Sequence, residues 1–150
     1  MPACVDVADA SGLLLAIETI PCSLGSPLEN VHRALDRDHR CHVTLDTEFL
    51  ARHGQLEASL DDDALWKHVA HIHVKDYADR LCDGDDRRRY LIPGEGNIDF
   101  DRVFGALRAR RYEGALTLEV SAVDGAGNIH EQRFREAAAW LASRPWLLPV

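Results

Sequence analysis

Aliphatic residues alternate with small or polar ones in four short stretches of the chain: LLLAIE (13–18), CHVTLD (41–46), VAHIHV (69–74) and ALTLEV (115–120). A period of two sends successive side chains to opposite faces of a strand, so each stretch predicts a β-strand. One face collects Leu13, Leu15 and Ile17, then Val43 and Leu45, then Ile72 and Val74, then Leu116, Leu118 and Val120. The other collects Ala16 and Glu18, then His42, Thr44 and Asp46, then His71, His73 and Lys75, then Ala115, Thr117 and Glu119. The aliphatic face needs a cover of helices. The other face is small, polar or metal-binding in type and must line something wet or coordinating.

Between the strands the apolar period lengthens to that of a helix. In SPLEN, Ser26 predicts an N-cap, Pro27 the first helical position and Glu29 the return partner of a capping box, with Leu28, Val31 and Leu35 as the apolar stripe. In DFDRVFGALRAR, Phe100, Val103, Phe104 and Leu107 share one helical face behind an Asp99 cap. IHEQRFREAAAWLASR places Phe134, Ala137, Ala138 and Leu141 on one face and ends at Pro145, and VDVADASG near the N-terminus is helix-like. Strand alternating with helix predicts an α/β fold of parallel βα units, about four of them. Residues 76–98 form a long polar connection, in which Asp83 to Arg89 reads either as a solvated charged tip or as a functional loop.

Composition narrows the class. With 150 residues and 46% hydrophobic content, one globular domain over 1–150 is expected. A net charge of −8, from 25 acidic and 17 basic residues, would repel a phosphate backbone, so no nucleic-acid partner is expected. No apolar run approaches the roughly 20 residues of a membrane span, and no basic segment with an apolar core opens the chain. The expectation is a cytoplasmic protein without membrane association. Cys4, Cys22, Cys41 and Cys82 contain no C-x-x-C pair and read as reduced thiols.

The chemistry lies at the strand ends. In a parallel (β/α) barrel the inner face converges on the axis, and the groups that act on substrate stand at the C-terminal rim. Here the C-terminal end of each predicted strand carries one such group: Glu18, Asp46, His73 and Glu119. His71 and His73 are two apart and share the inner face, while Ile72 and Val74 pack outward. Any one of these residues has a bland reading, as a core histidine or a capping carboxylate; four together point to a metal site. Three carboxylates and one imidazole suit one divalent ion, Mn²⁺, Co²⁺, Zn²⁺ or Mg²⁺. A cation would also relieve the repulsion among converging acids.

The stretches LLLAIETIP, VTLDTEF, HIHVKDY and IPGEGNIDFDRVFGALRARRYEGALTLEV resemble, in order and spacing, the second half of the xylose isomerase-like (β/α)₈ TIM barrels, the sugar phosphate isomerase/epimerase family. The resemblance implies an isomerase or epimerase of a small sugar, sugar phosphate or keto-polyol. It implies one divalent metal on Glu18, Asp46, His73 and Glu119, with Glu18 and Glu119 also exchanging the proton at the reacting carbon. Arg80 resembles the arginine that holds substrate hydroxyls, and His71 and Lys75, on the inner face, are further candidate substrate contacts. An inosose-type dehydratase would use the same groups, and a non-catalytic half-barrel scaffold is the alternative outside enzymes. An endonuclease IV-type nuclease is disfavoured by Phe49, Arg88 and Tyr90, which stand where that class needs further metal-binding residues. The family's barrel has eight strands and four are found here, so completion by a second copy or by a separate chain is expected.

Overall fold

The computed structural model describes residues 2–76, 78, 91–120 and 131–144. Its elements in chain order are α1 (Pro2–Ala10), β1 (Ala16–Glu18), α2 (Pro27–Arg37), β2 (His42–Asp46), α3 (Thr47–Arg52), α4 (Leu56–Asp61), α5 (Asp63–Trp66), β3 (Val69–Val74), α6 (Phe100–Ala109), β4 (Ala115–Leu118) and α7 (Glu131–Ala142). The strands form one parallel sheet in the order β1-β2-β3-β4, open at both edges, of the TIM-barrel type that the alternation predicts. The chain divides into two compact units, Met1–His73 with Gly114–Thr117, and Val74–Glu113 with Leu118–Val150.

In the first unit the aliphatic face is buried in β2 and β3, at Val43, Leu45 and Ile72, and only half-buried at Leu15, Ile17 and Leu116; Val31, Leu50, Leu60 and Leu65 of the helices are buried with it. Each buried side chain contributes on the order of 1.5–3 kcal/mol by leaving water. Helix α2 starts at the predicted place: the Glu29 carboxylate accepts hydrogen bonds from the Ser26 N–H at 2.9 Å and the Ser26 hydroxyl at 2.8 Å. Its buried stripe runs through Pro27, Val31 and Ala34, with Leu28 and Leu35 half-buried at its margins.

Strand β1 is shorter than the alternation suggests, three residues instead of six, and Leu13 is 63% exposed. The end of α1 explains the difference. Gly12 takes a left-handed φ of 67°, its N–H bonds the Asp9 carbonyl at 3.0 Å, and the Leu13 N–H bonds the Ala8 carbonyl at 2.9 Å. This pair of bonds is a Schellman cap, which commits Leu13 to closing the helix. The ladder begins only where the Leu15 carbonyl accepts from the His42 N–H at 2.9 Å.

In the second unit, Asp99 caps α6 by accepting from the Arg102 N–H at 3.1 Å, and Phe100, Val103, Phe104 and Leu107 are all buried as predicted. Helix α7 is rotated from its expected face. Ala137 is fully buried, but Phe134 is 45% exposed and Ala138 is exposed, while Trp140 meets the Phe100 ring edge-on at 5.0 Å between centroids. Gly94, at a φ of 96°, leaves room for the Trp140 indole; a Cβ there would stand 2.5 Å from Nε1. That notch draws the tryptophan inward and turns Phe134 out.

Candidate functional site at the strand ends

Strand pairing sets the level at which each candidate group stands. Along β2 and β3, Val43 pairs with Val69 but Thr44 pairs with His71, an irregularity that skips Ala70. After it, Leu45 faces Ile72 and Asp46 faces His73. The skipped residue brings His71 and His73 onto the face that carries Thr44 and Asp46. Between β1 and β2, Glu18 pairs with Thr44 and so stands two residues behind Asp46. The longer glutamate side chain makes up the distance.

Three of the four predicted metal-binding residues meet in the first unit. His73 Nδ1 lies 2.8 Å from Glu18 Oε1 and 3.8 Å from Asp46 Oδ2. The Asp46 carboxylate is fully buried, and its Oδ1 accepts the Phe49 N–H at 3.0 Å as the cap of α3. That bond fixes the carboxylate's rotation and aims Oδ2 toward the histidine. Phe49 therefore enters through its backbone, while its side chain contributes no ligating atom.

The donor set passes a simple test of fit. Oxygen and nitrogen ligands stand about 2.0–2.2 Å from a divalent ion such as zinc, which puts neighbouring ligand atoms about 3 Å apart. The 2.8 and 3.8 Å separations bracket that spacing. One imidazole with carboxylates is also the hard, mixed set that such ions accept.

The remaining candidates are placed as follows. Glu119 comes directly after β4; its N–H bonds the Val74 carbonyl at 3.2 Å, and its carboxylate is paired with the Lys75 ammonium. Lys75 and Glu119, a candidate substrate contact and a candidate metal ligand, are thus joined in the second unit. His71 bonds Thr117 Oγ1 through Nε2 at 2.7 Å and meets the His73 ring edge-on at 4.8 Å between centroids. Arg80 lies outside the described residues, as do Cys82, Asp83 to Arg89 and Tyr90.

Several contributing residues carry no sequence signal. Thr19 Oγ1 accepts the Asp46 N–H at 2.8 Å, and the Thr47 hydroxyl donates to the His73 carbonyl at 3.2 Å. Asp76, also buried, accepts the N–H groups of Gly94, Gly96 and Ile98 at 2.7, 2.8 and 3.3 Å, folding the PGEGNI turn around one carboxylate. Part of the connection that reads as a polar loop is therefore built structure, with Leu91, Ile92 and Ile98 in the core. The density of glycine and backbone donors in PGEGNI was the one available hint.

A parallel sheet with acidic and imidazole groups at the C-terminal strand ends defines a protein of the TIM-barrel class. More narrowly, the chain belongs to the xylose isomerase-like TIM barrel family, whose model matches residues 1–144. Among solved structures it is similar to a 3-keto-D-glucoside 4-epimerase from E. coli, with 22% identity and a TM-score of 0.68 over 95% of this chain. It is also similar to a D-psicose 3-epimerase crystallised in the presence of D-fructose, with 22% identity and a TM-score of 0.62 over 92% of this chain. A third, a sugar phosphate isomerase/epimerase from Parabacteroides distasonis, shares 16% identity with a TM-score of 0.58 over 94%. The chain spans about half the length of each, 51%. No curated protein matches the sequence. Among the described residues no helix is long and apolar enough to cross a membrane.

Proposed function

We propose that this chain is a divalent-metal-dependent isomerase or epimerase of a small sugar, sugar phosphate or keto-polyol. The observation that carries the reading is the approach of Glu18 and Asp46 to one nitrogen of His73, at 2.8 and 3.8 Å, at the C-terminal ends of three adjacent parallel strands. Membership of the xylose isomerase-like family and the epimerases among its structural neighbours support the same reaction class.

In this proposal Glu18, Asp46, His73 and Glu119 hold one Mn²⁺, Co²⁺, Zn²⁺ or Mg²⁺ ion. The bound ion would polarise the substrate's carbonyl or hydroxyl oxygen and so acidify the neighbouring C–H. One of Glu18 and Glu119 takes that proton, and the other returns a proton to the opposite side of the carbon. Lys75, paired with Glu119, is suited to hold that carboxylate in place, and with His71 and Arg80 to bind substrate hydroxyls. A dehydratase would begin with the same proton abstraction and then expel a hydroxide from the next carbon.

The expected partner is a second copy of the chain, or a separate chain, that continues the sheet. Among the described residues, Val7 of α1, Leu13, Leu14 and Ile20 beside β1 in the chain, and Leu24 before α2 are large apolar side chains left exposed, the kind of surface a further layer of protein covers. Light scattering of purified protein tests this: a dimer that Leu14→Lys dissociates is expected, and a monomer at all concentrations contradicts self-association. We place the protein in the cytoplasm, and we read its two units as one domain because a single family model runs over both.

The activity is tested by incubating Mn²⁺-loaded protein with ketoses in D₂O. Deuterium is expected on the carbon beside the carbonyl, with at least a hundredfold slower exchange in Glu18→Gln and Glu119→Gln. Ketoses recovered without deuterium from parent protein would contradict the proposal.

A further inference from the structure

We infer that Thr19 and Thr47 are positioning residues for the strand-end metal site, each tying one candidate ligand to the next across the sheet. The inference rests on the metal reading above. Thr19 directly follows Glu18 and Thr47 directly follows Asp46. The Thr19 hydroxyl oxygen accepts the Asp46 N–H at 2.8 Å across 27 residues of sequence. The Thr47 hydroxyl donates to the His73 carbonyl at 3.2 Å across 26 residues. Both threonines are buried. Glu18, Asp46 and His73 are therefore linked in series, one hydroxyl between each neighbouring pair.

These bonds stand where the ladder between strands gives out. The pairing of β1 with β2 runs from Ala16 with His42 to Glu18 with Thr44, and the Thr19 N–H adds a bond to the Thr44 carbonyl at 3.0 Å. Asp46 lies beyond that last partner, so its backbone reaches β1 through the Thr19 side chain. On its other side Asp46 opens α3, and its Oδ1 is taken by the Phe49 N–H. The two bonds leave the peptide and the carboxylate of Asp46 little freedom, which sets where Oδ2 stands relative to His73 Nδ1. The Thr47 bond acts likewise on the backbone that carries the imidazole.

Buried hydroxyls need not work this way. Ser59, as deeply buried, bonds the Leu56 carbonyl three residues back in its own helix and holds nothing from another strand. It supplies the internal comparison. Groups that orient metal ligands alter affinity by about 10–100-fold when removed, while a hydroxyl that serves only the fold alters stability and leaves affinity alone.

The test is Mn²⁺ titration calorimetry on the full chain, with unfolding midpoints measured in metal-free buffer. Thr19→Val and Thr47→Val are expected to weaken binding about tenfold or more, and Thr19→Ser and Thr47→Ser to stay within about twofold of the parent. Ser59→Ala is expected to lower the midpoint and keep the parent's affinity. Valine variants that bind like the parent, or a Ser59→Ala that weakens binding as much as they do, would overturn the inference and leave the metal reading standing. A parent that takes up no Mn²⁺ would overturn both. Should Thr19→Val fail to fold, the Thr47→Val and Thr47→Ser pair decides, because the Thr47 bond engages a carbonyl and leaves no buried N–H exposed by the change.

Discussion

His73 Nδ1 and Glu18 Oε1 stand 2.8 Å apart although 55 residues separate them in sequence. The skipped Ala70 turns His73 onto the face of Asp46, and the longer glutamate side chain spans the two residues by which Glu18 stands behind Asp46. Neither histidine nor glutamate could be moved one position along its strand without pointing into the helices.

Asp76 is the hub of the second unit's turn, accepting three backbone N–H groups with one buried carboxylate. Replacing it with alanine strands three donors at once. Asp76→Ala is expected to cost about 2–4 kcal/mol in urea unfolding, with Asp76→Asn intermediate because the amide oxygen still accepts. A loss below 1 kcal/mol for alanine would show that water replaces the carboxylate.

Two glycines should respond to alanine in opposite directions. Gly94 sits at a φ of 96° with the Trp140 indole where a Cβ would go, so Gly94→Ala combines backbone strain with a clash and is expected to cost about 2–4 kcal/mol. Gly105 lies exposed in α6 with open space around it, so Gly105→Ala is expected to stabilise by about 0.5–1 kcal/mol. Thermal midpoints of the two variants check both signs.

The capping box at α2 carries a pH dependence. Hydrogen bonds from the Ser26 backbone and then from its hydroxyl hold the Glu29 carboxyl below its ordinary 4.5. A carboxyl whose pKa is lowered by folding stabilises fully above the unfolded value and loses that contribution as pH falls through the folded one. The midpoint difference between parent and Glu29→Gln should therefore be constant above about pH 5.5 and move in favour of the variant below 4.5. A difference that does not change between pH 6 and pH 3 would contradict the assignment.

The sequence made some of this legible and concealed the rest for physical reasons. Strand β3 and the capped start of α2 were readable to the residue because alternation and capping are local, and local patterns survive in one dimension. Strand β1 misled because three leucines in a row look alike whether they enter a ladder or close a helix; the left-handed Gly12 decides that Leu13 does the second. The face of α7 misled because Trp140 follows a notch made by Gly94, 46 residues away. Glu18, Asp46 and His73 were readable as a group from their strand-end positions. Thr19, Thr47 and Asp76 were not, since the bonds that give them their roles run between segments with no shared pattern.

The central claim is that the strand ends gather acidic and imidazole groups around one cation. Elemental analysis of purified protein tests it most directly, with the parent, Glu18→Gln and Asp46→Asn prepared alike. Close to one Mn, Co, Zn or Mg per chain is expected in the parent, with clear loss in both variants. Equal metal content in all three proteins would contradict the account.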